Sequence, residues 1–217
     1  MNADSVGFKA GEGAGNRGAL VLRGQRLEYL TLAWNGFEAA VALISGVVAG
    51  SIALVGFGLD SVIETASAGI LLWRLGADAD VERRERAEHT ARRLVGISFL
   101  LLAAYVAIES IRGLWLKSEP ERSLPGILIA AAAVLVMPLL GRAKRRVATQ
   151  LNSGALRADS RQADFCAWLS AILLAGLLLR ALLGWWWADS VAALVMTPII
   201  AREGVQNLRG QRCDDCA

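Results

Sequence analysis

Apolar residues are grouped along the chain in long blocks, and the charged residues lie mostly in the gaps between those blocks. A helix needs about 20 mainly apolar residues to cross the hydrocarbon core of a bilayer. The block at 30–75 is too long for one helix, and the small residues at 45–51 mark the turn at which it folds back. We therefore predict an all-α membrane protein. Its six transmembrane helices are expected at about 27–45, 51–75, 94–116, 125–140, 159–184 and 189–208.

The basic residues indicate how these helices are oriented. Arginine and lysine cluster before the first predicted helix, between the second and third, after the fourth, and after the sixth. Because basic residues concentrate in cytoplasmic loops, all four segments are expected in the cytoplasm, and with them both termini. The opposite side carries Trp185, Trp186 and Trp187, and indoles favour the membrane interface.

The segments outside the predicted helices divide the chain into three parts. Residues 1–26 begin with a stretch rich in glycine and small polar residues, without the apolar core of a signal peptide, which predicts a disordered cytoplasmic tail. Residues 27–208 are the predicted six-helix domain. Residues 209–217 are a predicted short cytoplasmic tail that contains Cys213 and Cys216. We therefore expect a multi-pass protein of the cell inner (plasma) membrane, embedded in lipid.

Composition and charge narrow the function classes. Of the 217 residues 55% are hydrophobic, and the net charge is only +3. No basic patch is interleaved with aromatic residues, so nucleic-acid binding is not favoured. The three cysteines are too few and too scattered for a disulfide framework. The sequence contains no nucleotide-binding loop, which argues against ATP as an energy source, and it predicts neither an enzyme nor an organic cofactor.

Ionisable side chains inside the predicted helices are the candidates for chemistry, since a buried charge there costs about 3 kcal/mol even on lenient insertion scales. Asp60 and Glu64 are four residues apart, which places both carboxylates on one face of the second helix. Gln162 and Cys166 have the same spacing in the fifth helix. If these two helices pack face to face, the two pairs converge on a four-ligand site for a borderline divalent cation.

Three more polar residues extend this candidate site. Asp159 lies on the same stripe of the fifth helix as the Gln162 and Cys166 pair. Asn35 and Glu38 are three residues apart in the first helix and are further ligand candidates. Carboxylate, amide and thiolate groups all bind divalent cations, so these residues are expected to contribute to one metal site.

Several of these residues also have an interpretation without metal chemistry. A lone cysteine in a membrane helix is often a small core residue, and a glutamine often hydrogen-bonds a neighbouring helix. Two acids one turn apart repel each other and resist burial, so function is favoured for Asp60 and Glu64. Glu109 precedes Arg112 by three residues, which predicts a structural ion pair, and Asp164 lies off the candidate face.

Three segments of the sequence resemble the cation diffusion facilitators, or cation efflux family. Residues 50–54, Gly-Ser-Ile-Ala-Leu, precede the acidic pair as they do in the second helix of that family. Residues 155–159, Ala-Leu-Arg-Ala-Asp, resemble the approach to its fifth helix. Residues 187–194, Trp-Ala-Asp-Ser-Val-Ala-Ala-Leu, resemble the start of its sixth. The resemblance covers about 27–208 and implies a cation-diffusion-facilitator-like bundle.

The resemblance also implies a function. It predicts a secondary transporter that exports a divalent metal cation from the cytoplasm in exchange for protons, with zinc the first choice of substrate and cadmium, cobalt and Fe(II) the others. It places Asp60 and Glu64 at the two ligand positions of the second helix. Gln162 stands where the family usually has histidine, and Cys166 where it usually has aspartate. Because the family usually dimerises, we also expect a homodimer, with the third helix as the contact element.

A second function stays open at this point. The family's cytoplasmic metal-binding domain follows its sixth helix, whereas this sequence ends shortly after that helix, so the resemblance is to a divergent branch that lacks the domain. The alternative is a non-transporting membrane metal sensor or partner subunit. Cys213 and Cys216 form a C-x-x-C pair that would then bind the sensed metal ion. Metal-dependent ion flux distinguishes the two functions.

Overall fold

In a computed structural model, the described part of the chain forms six long α-helices joined by short connections. The helices are α1 Gly7–Ala49, α2 Ile52–Gly76, α3 Val81–Trp115, α4 Leu124–Leu151, α5 Gly154–Leu183 and α6 Ala188–Arg209. The structure describes the backbone of 7–76, 81–151 and 154–209. Within those ranges it leaves the side chains of 7–18, 21, 67, 70–76, 81–92, 151, 154–156, 158 and 159 undescribed.

Each of the six predicted segments corresponds to one of these helices, so the all-α prediction is confirmed. Three helices extend more than ten residues beyond their predicted bounds. α1 begins at Gly7, inside the segment predicted to be a disordered tail, α3 begins at Val81, and α4 continues past Pro138 to Leu151. The extensions of α3 and α4 are rich in alanine and arginine, which have high helix propensity, so these helices continue where the apolar pattern ends. The extension of α1 contains six glycines, and helix propensity does not explain it.

Four helices are long and apolar enough to cross a membrane, judged by length and composition. Their candidate spans are Leu22–Ala49, Arg93–Trp115, Leu124–Gln150 and Ser160–Leu183. Among the residues described, α2 and α6 do not meet the same criterion. The chain is therefore a multi-pass membrane protein, and the count of six spans stays a prediction.

All six helices contribute side chains to a common core. α1 packs against α2 and α4, α4 packs against α5, and α5 contacts α2. α3 and α6 pack against each other and reach the other helices through α2 and α5. The core between them contains large buried side chains such as Phe57, Phe99, Met137 and Leu173. This arrangement places the polar faces of α1, α2 and α5 toward one another.

Two glycines set the close contact between α3 and α6. A Cβ atom on Gly96 would lie 2.9 Å from the carbonyl oxygen of Gly204, and a Cβ on Gly204 would lie 3.0 Å from that of Gly96. Both distances are too short for any larger residue unless the backbones separate. Small residues at such crossings let membrane helices approach closely enough for dense packing.

The turn between α1 and α2 lies at the end of the predicted 45–51 break. Gly50 has a φ of 65°, a left-handed conformation that glycine adopts without strain. The amide of Ser51 donates to the carbonyl of Gly46 at 2.9 Å, which closes the end of α1. The hydroxyl of Ser51 then accepts from the amide of Leu54 at 3.1 Å and caps the start of α2.

Asp189, at the start of α6, provides a second cap for α2. Its carboxylate accepts hydrogen bonds from the amides of Ile52 at 2.8 Å and Ala53 at 3.4 Å, and from the hydroxyl of Ser51. The side chain is only 2% exposed. A negative charge at a helix N-terminus is favoured by the helix dipole. The segments at 50–54 and 187–194 thus meet in space and fix the start of α2 against α6.

We expect Asp189→Ala to lower the free energy of unfolding by about 1–2 kcal/mol, the usual range for a lost helix cap. Asp189→Asn keeps an oxygen that accepts hydrogen bonds from the same amides, so it should lower the free energy of unfolding by clearly less. Denaturant titration of the purified protein in detergent, followed by circular dichroism, compares the three proteins. An alanine variant as stable as the wild type would show that the cap is not needed.

Candidate metal centre

Two carboxylates of α2 face the interior of the bundle. Asp60 is 3% exposed and Glu64 is 6% exposed. They lie one helical turn apart, so both are directed to the same side of α2. Within the described residues, Oδ2 of Asp60 is fully buried and has no hydrogen-bond partner. Leaving a buried acceptor unpaired costs about 1–3 kcal/mol, so a function for this carboxylate is favoured.

Cys166 of α5 completes a cluster with these two acids, which we call the Asp60–Glu64–Cys166 cluster. The thiol is fully buried. Its sulfur atom and one carboxylate oxygen of each acid all lie within 4.8 Å of one another. Zinc bonds to oxygen at about 2.0–2.2 Å and to sulfur at about 2.3 Å, so two ligands of one ion are normally about 3–4 Å apart. Small side-chain adjustments would bring the three atoms onto one ion.

α1 contributes an amide to this cluster. Nδ2 of Asn35 donates a hydrogen bond to Oε2 of Glu64 at 3.0 Å. Asn35 is 3% exposed, and its other amide atom, Oδ1, is buried without a hydrogen-bond partner in the described part of the chain. The structure therefore places Asn35 beside the predicted ligands of α2.

Glu38, one turn further along α1, lies beside Cys166. Its Oε1 accepts a hydrogen bond from the hydroxyl of Ser61 at 2.7 Å, and its Oε2 accepts one from Nε1 of Trp34 at 2.7 Å. The thiol of Cys166 lies 3.8 Å from Oε1, within hydrogen-bonding reach for sulfur. Both oxygens of this fully buried carboxylate thus have donors, and Glu38 borders the cluster.

The remaining predicted site residues are Gln162 and Asp159 of α5. Gln162 is half-buried and lies one turn before Cys166 on α5. Asp159 belongs to the backbone of α5, but its side chain lies outside the described residues. Cys213 and Cys216 also lie outside the described residues. The structure therefore brings together Asp60, Glu64 and Cys166 with Asn35 and Glu38 around them.

Two acids that the sequence places outside the candidate site are indeed outside it. Glu109 forms an ion pair with Arg112 at 2.6 Å on the surface of α3, as predicted. Asp164 is paired with Arg145 of α4, including a hydrogen bond from one guanidinium nitrogen at 3.2 Å. Each of these two acids thus has a cationic partner outside the cluster.

Sequence reasoning missed several polar contacts. Trp34 and Ser61, which hold Glu38, were not singled out, although Trp34 lies four residues before Glu38 and is on the same helix face. Lys144 was counted as part of a basic cytoplasmic segment, yet it is 1% exposed and donates to Glu28 of α1 at 3.1 Å. A buried lysine needs such a partner, but the partner is on another helix and is not visible from spacing.

Glu203 of α6 was also missed. Its Oε2 is buried without a hydrogen-bond partner in the part of the chain that is described, while Oε1 lies 3.3 Å from Nδ2 of Asn207. It is near enough to Asp60 for the two charges to repel. α6 therefore adds a further acid to the surroundings of the cluster.

Comparison with known proteins agrees with this architecture. Residues 29–211 match the sequence profile described as the cation efflux transmembrane domain. An uncharacterized transporter of Synechocystis sp. is 28% identical over 153 residues, which are 68% of this chain and 49% of that protein. Transmembrane protein 163 of Xenopus laevis is 29% identical over 135 residues, which are 61% of this chain and 47% of that protein. The chain spans about half the length of these curated relatives.

Proposed function

The chain belongs to the cation efflux family, and from that membership we propose that it exports a divalent metal cation from the cytoplasm in exchange for protons. Members of this family are transporters rather than enzymes. The observation that carries the proposal is the buried Asp60–Glu64–Cys166 cluster between α2 and α5. Two crowded carboxylates and a thiol in a bundle core are difficult to explain as packing alone, because buried like charges repel.

The ligand types favour a particular class of cation. Thiolate is a poor ligand for magnesium or calcium, while carboxylate and thiolate together suit borderline ions. Zinc is therefore the proposed substrate, with cadmium, cobalt and Fe(II) as further candidates. A tetrahedral ion needs a fourth ligand beside the cluster, and that ligand would come from the predicted neighbours Gln162, Glu38, Asn35 or Asp159.

We propose that all six helices cross the membrane. α2 has 25 residues and α6 has 22, so at about 1.5 Å per residue each is long enough for a hydrocarbon core of about 30 Å. Asp60, Glu64 and Asp189 are buried inside the bundle, so both helices could cross the membrane without exposing these acids to lipid. Six spans would put both termini in the cytoplasm of a protein in the inner (plasma) membrane, assembled as the homodimer usual in the family.

Proton exchange follows from the chemistry of the same site. Burial disfavours a charged carboxylate or thiolate, so protons would neutralise the cluster when no cation is bound. Metal binding requires deprotonated ligands and therefore releases protons. Rocking of the helices around a site near the bilayer midplane would expose it to each side in turn. One set of residues would thus carry the metal ion in one direction and protons in the other.

Zinc uptake into proteoliposomes tests this function. With an acidic interior, the purified protein should concentrate zinc inside the vesicles, reported by a trapped fluorescent indicator, and the interior pH should rise as zinc enters. A protonophore should remove the accumulation. Zinc binding without uptake would identify a sensor or partner subunit instead, and uptake that ignores the proton gradient would contradict the exchange.

A further inference from the structure

The two polar residues that α1 places at the cluster differ in one respect. Both oxygens of Glu38 accept hydrogen bonds, from Ser61 and Trp34. Asn35, in contrast, uses its amide nitrogen on Glu64 and leaves its amide oxygen without a partner among the described residues. An unpaired amide oxygen on a side chain that is 3% exposed is costly, because it has lost its water and gained no donor.

The orientation of this amide follows from its neighbour. The Oε2 atom of Glu64 lies 3.0 Å from one end of the Asn35 amide. When Glu64 is ionised, as metal binding requires, it only accepts hydrogen bonds. The amide atom that faces it is then the nitrogen, and the oxygen takes the other position. Oδ2 of Asp60 is the second buried oxygen at the cluster without a partner. Two unpaired oxygens from different helices at one cluster are thus free to accept hydrogen bonds or to bind a cation.

From this geometry we propose that Oδ1 of Asn35 is the fourth ligand of the transported cation. The ion would be held by α1, α2 and α5 together, through one amide oxygen, two carboxylates and one thiolate. The inference rests on the proposed function, in which Asp60, Glu64 and Cys166 bind the metal. It assigns the fourth position to α1, whereas the family resemblance places that ligand on α5 at Gln162.

A neutral fourth ligand has a consequence for the substrate class. Two carboxylates and a thiolate carry three negative charges, so a divalent ion leaves a net charge of −1 in the buried site. A monovalent ion would leave −2, which is harder to bury, and the site should therefore prefer divalent to monovalent cations. The amide also keeps its nitrogen on Glu64, so the hydrogen bond that orients the ligand does not have to break when the ion binds.

Cadmium titration of Asn35→Cys tests the assignment, since each cadmium–thiolate bond adds ultraviolet absorption. Cys213 and Cys216 are first replaced by serine, which leaves Cys166 as the only thiol of the parent protein. The absorption per bound cadmium should be about twofold higher in Asn35→Cys than in the parent, because a second thiolate joins the ion. Thr31→Cys is the matched control. Thr31 is buried on α1, one turn before Asn35. Thr31→Cys should keep the absorption per bound cadmium that one thiolate gives.

A single-thiolate intensity in Asn35→Cys with cadmium still bound would overturn the inference and leave the proposed function standing. If Asn35→Cys fails to fold, Asn35→Asp and Asn35→Leu decide the question by cadmium affinity. The aspartate variant should still bind cadmium. The leucine variant should bind cadmium at least about tenfold more weakly than the parent protein does. If both variants bind cadmium with the same affinity as the parent protein, the inference is overturned. A parent without any cadmium–thiolate absorption would contradict the proposed function itself.

Discussion

Asp60→Asn and Glu64→Gln are each expected to abolish zinc uptake into proteoliposomes and to weaken zinc binding by at least about 100-fold. Loss of an outer-shell partner of a metal ligand already costs about 10- to 100-fold in affinity, and these residues are proposed as ligands themselves. Both substitutions keep the shape of the side chain and remove only its charge. The loss should therefore reflect the chemistry of the site, since the packing around it is preserved.

Thermal unfolding separates this effect from misfolding. In the absence of metal, both variants should be at least as stable as the wild type, because a neutral amide replaces a buried acid that needs a proton to be neutral. Zinc at 100 times its dissociation constant should stabilise the wild type by about 2.7 kcal/mol and neither variant. Glu109→Gln is the matched control, since it removes an acid that is paired with Arg112 on the surface of α3. It should transport normally, and wild-type uptake by Asp60→Asn would remove the cluster from the mechanism.

Cys166 is expected to set the preference among metals. Cys166→Asp exchanges a soft ligand for a hard one, so the ratio of cadmium affinity to manganese affinity should fall on the order of 10- to 100-fold. The measurement is competition between the two ions for the purified protein, again with Cys213 and Cys216 replaced by serine so that no other thiol contributes. The affinity for zinc, which accepts both oxygen and sulfur ligands, should change less than the affinity for cadmium.

Cys166→Ser is the companion variant for this experiment. Serine has nearly the same size as cysteine, but its hydroxyl is a weak ligand, so cadmium binding should fall without a compensating gain for manganese. If Cys166→Ser leaves both affinity and selectivity unchanged, the cysteine is a buried core residue. Its position beside Glu38 and the α2 acids would then be a matter of packing.

The helices, and the shared face of Asp60 and Glu64 on α2, were predictable from local pattern. Blocks of apolar residues give the helices, and the spacing of Asp60 and Glu64 puts them on one face. The same reasoning separated Glu109 from the candidate site, because Arg112 lies one turn away on its own helix. Such inferences succeed because both partners belong to one helix, and sequence separation then fixes their distance.

The contacts between helices could not be predicted in the same way. Nothing in the spacing shows that Asn35 faces Glu64, or that Lys144 is buried against Glu28, since helix rotation and depth decide these contacts. The caps on α2 from Asp189 depend likewise on how α6 starts beside α2. Helix ends were also misjudged where charged residues with high helix propensity follow an apolar block.

The most direct test of the account is the structure of the protein with cadmium bound, located by its anomalous scattering. We predict one cadmium ion between α2 and α5, bonded to Asp60, Glu64 and Cys166 at distances of about 2–2.6 Å, as expected for oxygen and sulfur ligands. A protein saturated with cadmium that holds the ion only elsewhere, for example at Cys213 and Cys216, would contradict the proposed metal centre.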